Sequence, residues 1–132
     1  MTNQTLGTHK EKYLFQSQGV ISPRQGRLLA SSIISLAGMT PARRGRIDGY
    51  PYEPSLWKRL WNALRRRMSG GGGVGWTGFF PLMESYLNID VYTDISEVEI
   101  LLSTCKPERI HLDKIVNHLE CHIGPTLYKR LT

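Results

Sequence analysis

Two runs of alternation constrain this chain most. Leu87, Ile89 and Val91 alternate with polar residues, and Val98, Ile100 and Leu102 do so again a few positions later. A period of two places each apolar set on one side of an extended strand. Tyr92 to Ser96 lies between them as turn material, so the pair predicts an antiparallel hairpin with one buried face. The following stretch, "KPERIHLDKIVNHLECHIGP", reads as a closing helix with Pro107 at its first position and Gly124-Pro125 as its stop. Leu112, Val116, Leu119 and Ile123 form its apolar stripe, which is expected to lie on the hairpin.

The first half of the chain reads differently. "YLFQSQGVI" carries a short apolar patch compatible with a strand. In "SPRQGRLLASSIISLAG", Ser22 is placed to cap a helix, Pro23 suits its first position and Gln25 completes a capping box. Leu29, Ile33 and Leu36 share one face of that helix, and Gly38 and Pro41 end it. "TPARRGRIDGYPYEP" combines prolines and glycines with Arg43, Arg44 and Arg46, which is the composition of a linker. "SLWKRLWNALRRRM" follows Pro54 with Ser55 as its N-cap. At 100° per residue Trp57, Leu60, Trp61, Leu64 and Met68 fall within a stripe about 100° wide. Lys58, Arg59, Arg65, Arg66 and Arg67 occupy the remaining circumference, and the last three oppose the negative end of the helix dipole. Gly70 to Gly73 carry no side chain to pack and read as a hinge.

The expected architecture is therefore α+β: a helical, basic N-terminal half followed by a β-hairpin and a packed C-terminal helix. Its divisions are a loose N-terminus at 1–12, a basic helical region at 13–69 with a Pro/Arg linker at 39–54, a glycine-rich hinge at 70–75, and hairpin plus helix at 76–132. A chain of 132 residues suits one small core. The net charge of +6 is unevenly distributed. Up to Gly73 twelve Lys/Arg stand against three Asp/Glu, and from Val74 onward five stand against eight. This asymmetry points to an anionic partner for the first half: nucleic acid, an anionic membrane or an acidic protein surface.

Several chemistries fail on mechanical grounds. A phosphate-cradling loop needs Gly-Lys-Ser/Thr opening a helix after a strand. Here the glycines follow a helix and "VGWTGFF" supplies no lysine. No Ser/His/Asp or Cys/His nucleophile set has local support, so neither enzymatic activity nor a cofactor is expected. The longest apolar run, Leu28 to Met39, is broken by serines and falls short of the roughly 20 residues that span a bilayer. The N-terminus lacks a signal-peptide layout. Two cysteines, Cys105 and Cys121, form no disulfide framework, so the expected location is reducing: cytoplasmic, at a membrane periphery, or nuclear. His118 and His122 stand four apart on the closing helix and are the pair able to chelate a metal ion, whereas His111 is two turns away. Without a third donor at good spacing, no metal site is assigned; a pH-sensitive contact surface is the alternative use of these rings.

The C-terminal third, "VEILLSTCKPERIHLDKIVNHLECHIGPTLYKRL", runs strand, basic-proline turn, helix, aromatic-basic segment. In that order it resembles the start of the folded core of rhabdovirus matrix proteins. That family also carries a basic arm with a proline–tyrosine motif, to which "YPYEP" is similar without the double proline; the family's aromatic at the helix end is replaced here by His118 to His122. The resemblance implies a viral, virion-associated protein linking membrane lipid to a ribonucleoprotein, or a broader accessory role toward host factors. The expected function is thus a non-enzymatic, basic peripheral binding protein. Trp57, Lys58, Arg59, Leu60, Trp61, Arg65, Arg66 and Arg67 would meet anionic membrane or an acidic partner, which could be a host or nucleocapsid protein, and Arg43, Arg44 and Arg46 would meet nucleic acid. The alternatives are an RNA-binding protein that suppresses a host response and a small metal-stabilised module; self-association is compatible with each.

Overall fold

The predicted hairpin forms the centre of a larger sheet. A computed structural model describes residues 11–50, 75–83, 85–93, 95–105 and 110–131. In chain order the elements are β1 (Glu11–Gln18), α1 (Pro23–Leu36), β2 (Arg46–Tyr50), β3 (Gly75–Pro81), β4 (Tyr86–Tyr92), β5 (Glu97–Thr104), α2 (Leu112–His122) and β6 (Thr126–Arg130). The sheet order is β2-β3-β4-β5-β1-β6, and every neighbouring pair is antiparallel. The β4–β5 pairing aligns Leu87 with Leu102, Ile89 with Ile100 and Val91 with Val98, as the alternation requires.

This overturns the expected helical N-terminal half. That half supplies β1, which lies between β5 and β6, and β2, which falls inside the stretch read as a linker. The C-terminal part likewise holds four strands instead of two. The physical reason is legible in β3, "GWTGFFP". Trp76, Gly78 and Phe80 point inward while Thr77 and Phe79 point outward. The inward set has a gap at Gly78 because the Trp76 and Phe80 rings close over it; a Cβ there would sit 2.8 Å from Phe80. A glycine in place of the central apolar residue hides the period.

The two helices among the described residues cover the same face. α1 packs on β3 and β4, and α2 packs on β1 and β6. The core joins Tyr13 and Phe15 of β1, the inward residues of β3 to β5, Leu29, Ile33 and Ile34 of α1, and Ile115 and Leu119 of α2. A helix as short as α1 is marginal in isolation. Burial of Leu29 and Ile33, at about 1.5–3 kcal/mol per large apolar side chain, stabilises it. Its capping box forms as predicted: Ser22 Oγ accepts from Gln25 N at 3.2 Å, and Ser22 N donates to Gln25 Oε1 at 2.8 Å. Gly26 permits the close seat of β3, since the Trp76 ring edge comes within 2.0 Å of where a Cβ would stand. The indole N–H of Trp76 donates to Ile21 O at 2.9 Å. α2 begins at Leu112 rather than Pro107, and its buried residues are Ile115 and Leu119, with Leu112, Val116 and Ile123 partly covered. Pro107 lies outside the described residues.

Candidate functional site

The three linker arginines do not form one stripe. Arg43 and Arg44 lie in the segment entering β2, which hydrogen-bonds along the end of β3 through Ala42 N to Pro81 O at 2.9 Å. There they line a cleft of about 200 Å³ together with Arg27 of α1, over a floor of Ala30, Ile34 and Phe80. No carboxylate lines this cleft among the described residues. Arg27 is held in place because its Nη1 donates to Gly45 O at 2.9 Å. Gly45 lets Phe80 close the floor, since a Cβ at this position would meet the ring at 2.1 Å. Arg46 sits one step further on, mostly exposed, paired with Asp48 at 3.0 Å on the other face of the sheet. Sequence reasoning missed Arg27. Its partner is eighteen positions away, and no local pattern reports it.

The face of the sheet opposite α1 and α2 is divided into rows. One row runs Arg46, Phe79, Asn88, Leu101, Leu14, Lys129, each directly paired with the next. It carries cations at both ends, and its Phe79 ring, 46% exposed, stands 5.7 Å from that of Tyr86. The adjacent row, Asp48, Thr77, Asp90, Glu99, Gln16, is acidic. Its carboxylates are tied to neighbours: Thr77 and Asn88 donate to Asp90 at 2.6 and 3.0 Å, and Gln16 donates to Glu99 at 3.0 Å. Phenol ionisation of Tyr92, close by, is pushed up by burial and then by the charges of Asp90, Glu99 and Glu97. The carboxylates of this row oppose anion contact toward the middle of the sheet.

A second cleft, about 320 Å³, opens between the helices. Ile21, Leu28, Leu29 and Ile123 make its apolar walls, and Gln25, Ser32, His118 and His122 supply polar groups. Leu28 is 64% exposed at its rim. His118 also borders a neighbouring hollow with Ser31, Ser32, Ser35 and Leu36, so the groove continues along α1. The His118 and His122 rings face one another with centroids 4.2 Å apart. Burial, and then the neighbouring His122, hold the His118 pKa below the ordinary histidine value. No group of three or more metal-ligating side chains exists among the described residues. Cys105 and Cys121 are both free thiols.

The other sequence-derived site residues, Trp57, Lys58, Arg59, Leu60, Trp61, Arg65, Arg66 and Arg67, lie outside the described residues, as do Gly70 to Gly73. Their attachment is described, however: β2 ends and β3 begins at a paired position, Tyr50 with Gly75. That is the opposite end of β2 from Arg43 and Arg44. Of Trp76, Phe79 and Phe80, which follow the glycines, Trp76 and Phe80 are core and Phe79 is exposed. Among the described residues no helix is long and apolar enough to cross a membrane.

No family model matches the chain, and no curated protein matches it. Among the solved structures similar in fold is the adenosylmethionine decarboxylase from Aquifex aeolicus VF5, at 15% identity, with a TM-score of 0.60 over 93% of this chain and 88% of that one. At that identity the likeness concerns the sheet-and-helix architecture.

Proposed function

We propose that this chain is a basic binding protein that engages a phosphate-bearing anionic partner, with single-stranded RNA as the leading one. The observation that carries the reading is the convergence of Arg27, Arg43 and Arg44 on one cleft free of described carboxylates, with Arg46 and the exposed Phe79 around the sheet edge on its opposite face. Guanidinium groups bind phosphate through paired N–H donors, and an exposed ring offers a stacking surface to an unpaired base. The basic Trp57–Arg67 stretch is proposed, on its sequence, to extend the same preference. The test is fluorescence anisotropy with labelled single-stranded RNA across a salt series. Binding is expected to weaken with a log–log slope of about −0.7 per phosphate, and Arg43→Ala/Arg44→Ala to flatten it by about 1.4. Salt-insensitive binding, or a variant that binds like the wild type, overturns the reading. Flotation on anionic vesicles without RNA binding would move the partner to a membrane surface.

One observation favours a second reading. The fold likeness to an adenosylmethionine decarboxylase spans 93% of the chain, and the interhelical cleft has the mixed apolar and polar lining of a small-molecule site. On this reading the chain is enzyme-related and binds a small ligand. Titration calorimetry with adenosylmethionine is the direct check, and heats no larger than dilution would remove that ligand.

A further inference from the structure

We infer that the cleft of Arg27, Arg43 and Arg44 is a seat for a terminal phosphate monoester, so that the chain holds single-stranded RNA by a phosphorylated end; this deepens, and rests on, the phosphate-binding reading above. Consecutive side chains of an extended strand point to opposite faces, which would separate Arg43 from Arg44. They line one cleft because the chain bends at residues 42 and 43, just before β2. That bend is pinned to the end of β3 and the residues after it. Met83 N donates to Thr40 O and Ala42 N donates to Pro81 O, each at 2.9 Å, and Pro41 is bridged to Leu82. Arg27 lines the same cleft from α1, held by its bond to Gly45 O. The backbones that carry three guanidinium groups are thus fixed around one hollow before a ligand arrives, which lowers the cost of ordering them on binding.

The size and charge of the hollow suit an end better than a passage. Its floor is closed by the buried Ala30, Ile34 and Phe80. At about 200 Å³ it is smaller than the roughly 300–1,000 Å³ of a pocket that encloses a drug-sized molecule, so it takes a single group. Near pH 7 a phosphate monoester carries a charge of about −1.5 to −2 and three acceptor oxygens. An internal phosphodiester carries one charge and has chain leaving it on both sides. Three cations, with no described carboxylate on the lining, match the monoester. Ser31, exposed on α1, adds a hydroxyl to the wall. The nucleotides that follow the held end have a favourable way out. β2 is the edge strand of the sheet, and Arg46 and the exposed Phe79 lie around that edge on the opposite face. With its end in the cleft, the RNA would turn over β2 toward Arg46 and stack a base on Phe79.

The test is fluorescence anisotropy of the full-length chain with one short single-stranded RNA, labelled at mid-chain, in three forms: 5′-phosphate, 3′-phosphate, and hydroxyl at both ends. A phosphorylated form is expected to bind at least about tenfold more tightly than the hydroxyl form, which is about 1.4 kcal/mol. The form that shows the gain identifies the end that is held. Arg43→Ala/Arg44→Ala changes two exposed side chains and is expected to keep the fold by circular dichroism and to lose the gain. Arg46→Ala, on the opposite face, is expected to weaken all three forms alike and to keep the gain. Equal binding of the three forms by the wild type overturns the terminal-phosphate seat while RNA binding itself stands, and no binding of any form removes both. A gain that survives Arg43→Ala/Arg44→Ala overturns the assignment to this cleft.

Discussion

Arg27 Nη1 donates to the carbonyl oxygen of Gly45 at 2.9 Å, which fastens helix α1 to the segment that carries Arg43 and Arg44. One donor of the guanidinium is used in this bond, and four remain for a ligand. A hydrogen bond to a charged group contributes about 1.5–3 kcal/mol. Because Arg27 is only half-buried, the lower end applies. Arg27→Ala is therefore expected to lower unfolding free energy by about 1–2 kcal/mol in urea titration and to weaken RNA binding beyond the loss of one charge. An Arg27→Ala variant as stable as the wild type would show that the cleft needs no such tie.

Gly45→Ala tests the floor of that cleft. A methyl group would stand 2.1 Å from Cδ1 of the buried Phe80 ring, so the ring must shift from its seat against the core. Overpacking of this kind costs about 1–3 kcal/mol. Gly49→Ala is the control on the same strand side, since its nearest neighbour would lie 3.8 Å away. The expected order of midpoints in urea is wild type, then Gly49→Ala, then Gly45→Ala well below both.

Trp76 is 5% exposed, so the native protein is expected to show blue-shifted tryptophan emission before any ligand is added. Trp76→Phe should remove that component and leave Trp57 and Trp61, the other two tryptophans of the chain, as reporters of their own surroundings. The same substitution orphans Ile21 O, which now accepts from the indole, at a cost of about 1–3 kcal/mol. Unchanged emission in the variant would contradict the buried position.

Alkaline pH is expected to destabilise the fold through Tyr13. Burial, and then its hydrogen bond to the Glu11 carboxylate, push its pKa from the ordinary 10 up to about 12. A raised pKa favours the folded state below pH 10 and loses that contribution as pH climbs toward 12. Tyr92, shifted in the same direction, adds to the slope. Chemical denaturation at a series of pH values should show stability falling above pH 10, with a shallower fall in Tyr13→Phe.

Acid works with the opposite sign at His118. Its depressed pKa gives stability that is present above the ordinary histidine value of 6.5 and lost as pH falls below it. His118→Gln should flatten the stability profile between pH 7 and 5. An unchanged profile would place the acid sensitivity elsewhere.

The central hairpin and the capping box of α1 were legible because each depends on residues close in sequence. Ser22 meets Gln25 three positions on, and Leu87 finds Leu102 across one turn. The outer strands were not legible for the same reason in reverse. β2, "RIDGY", and β6, "TLYKR", are edge strands with few buried side chains, so no apolar period marks them; their partners lie far along the chain. β1 was seen as an apolar patch, but its place between β5 and β6 rests on contacts such as Ser17 Oγ with Thr126 Oγ1 at 2.7 Å, across 109 positions. Of the candidate site, Arg43, Arg44 and the histidine pair were visible as residue types. Their partners Arg27 and Ser32 come from another helix face and emerge only when α1 lies down on the sheet.

Residues 51–74 leave the sheet at Tyr50 and return at Gly75, and those two residues are paired with each other. The sheet therefore already holds the ends of this segment together, and its register asks nothing of what runs between them. The alignment of β2 with β3 is written in residues 46–50 and 75–79 alone. Foldability and partner choice can therefore be probed on separate stretches of this chain.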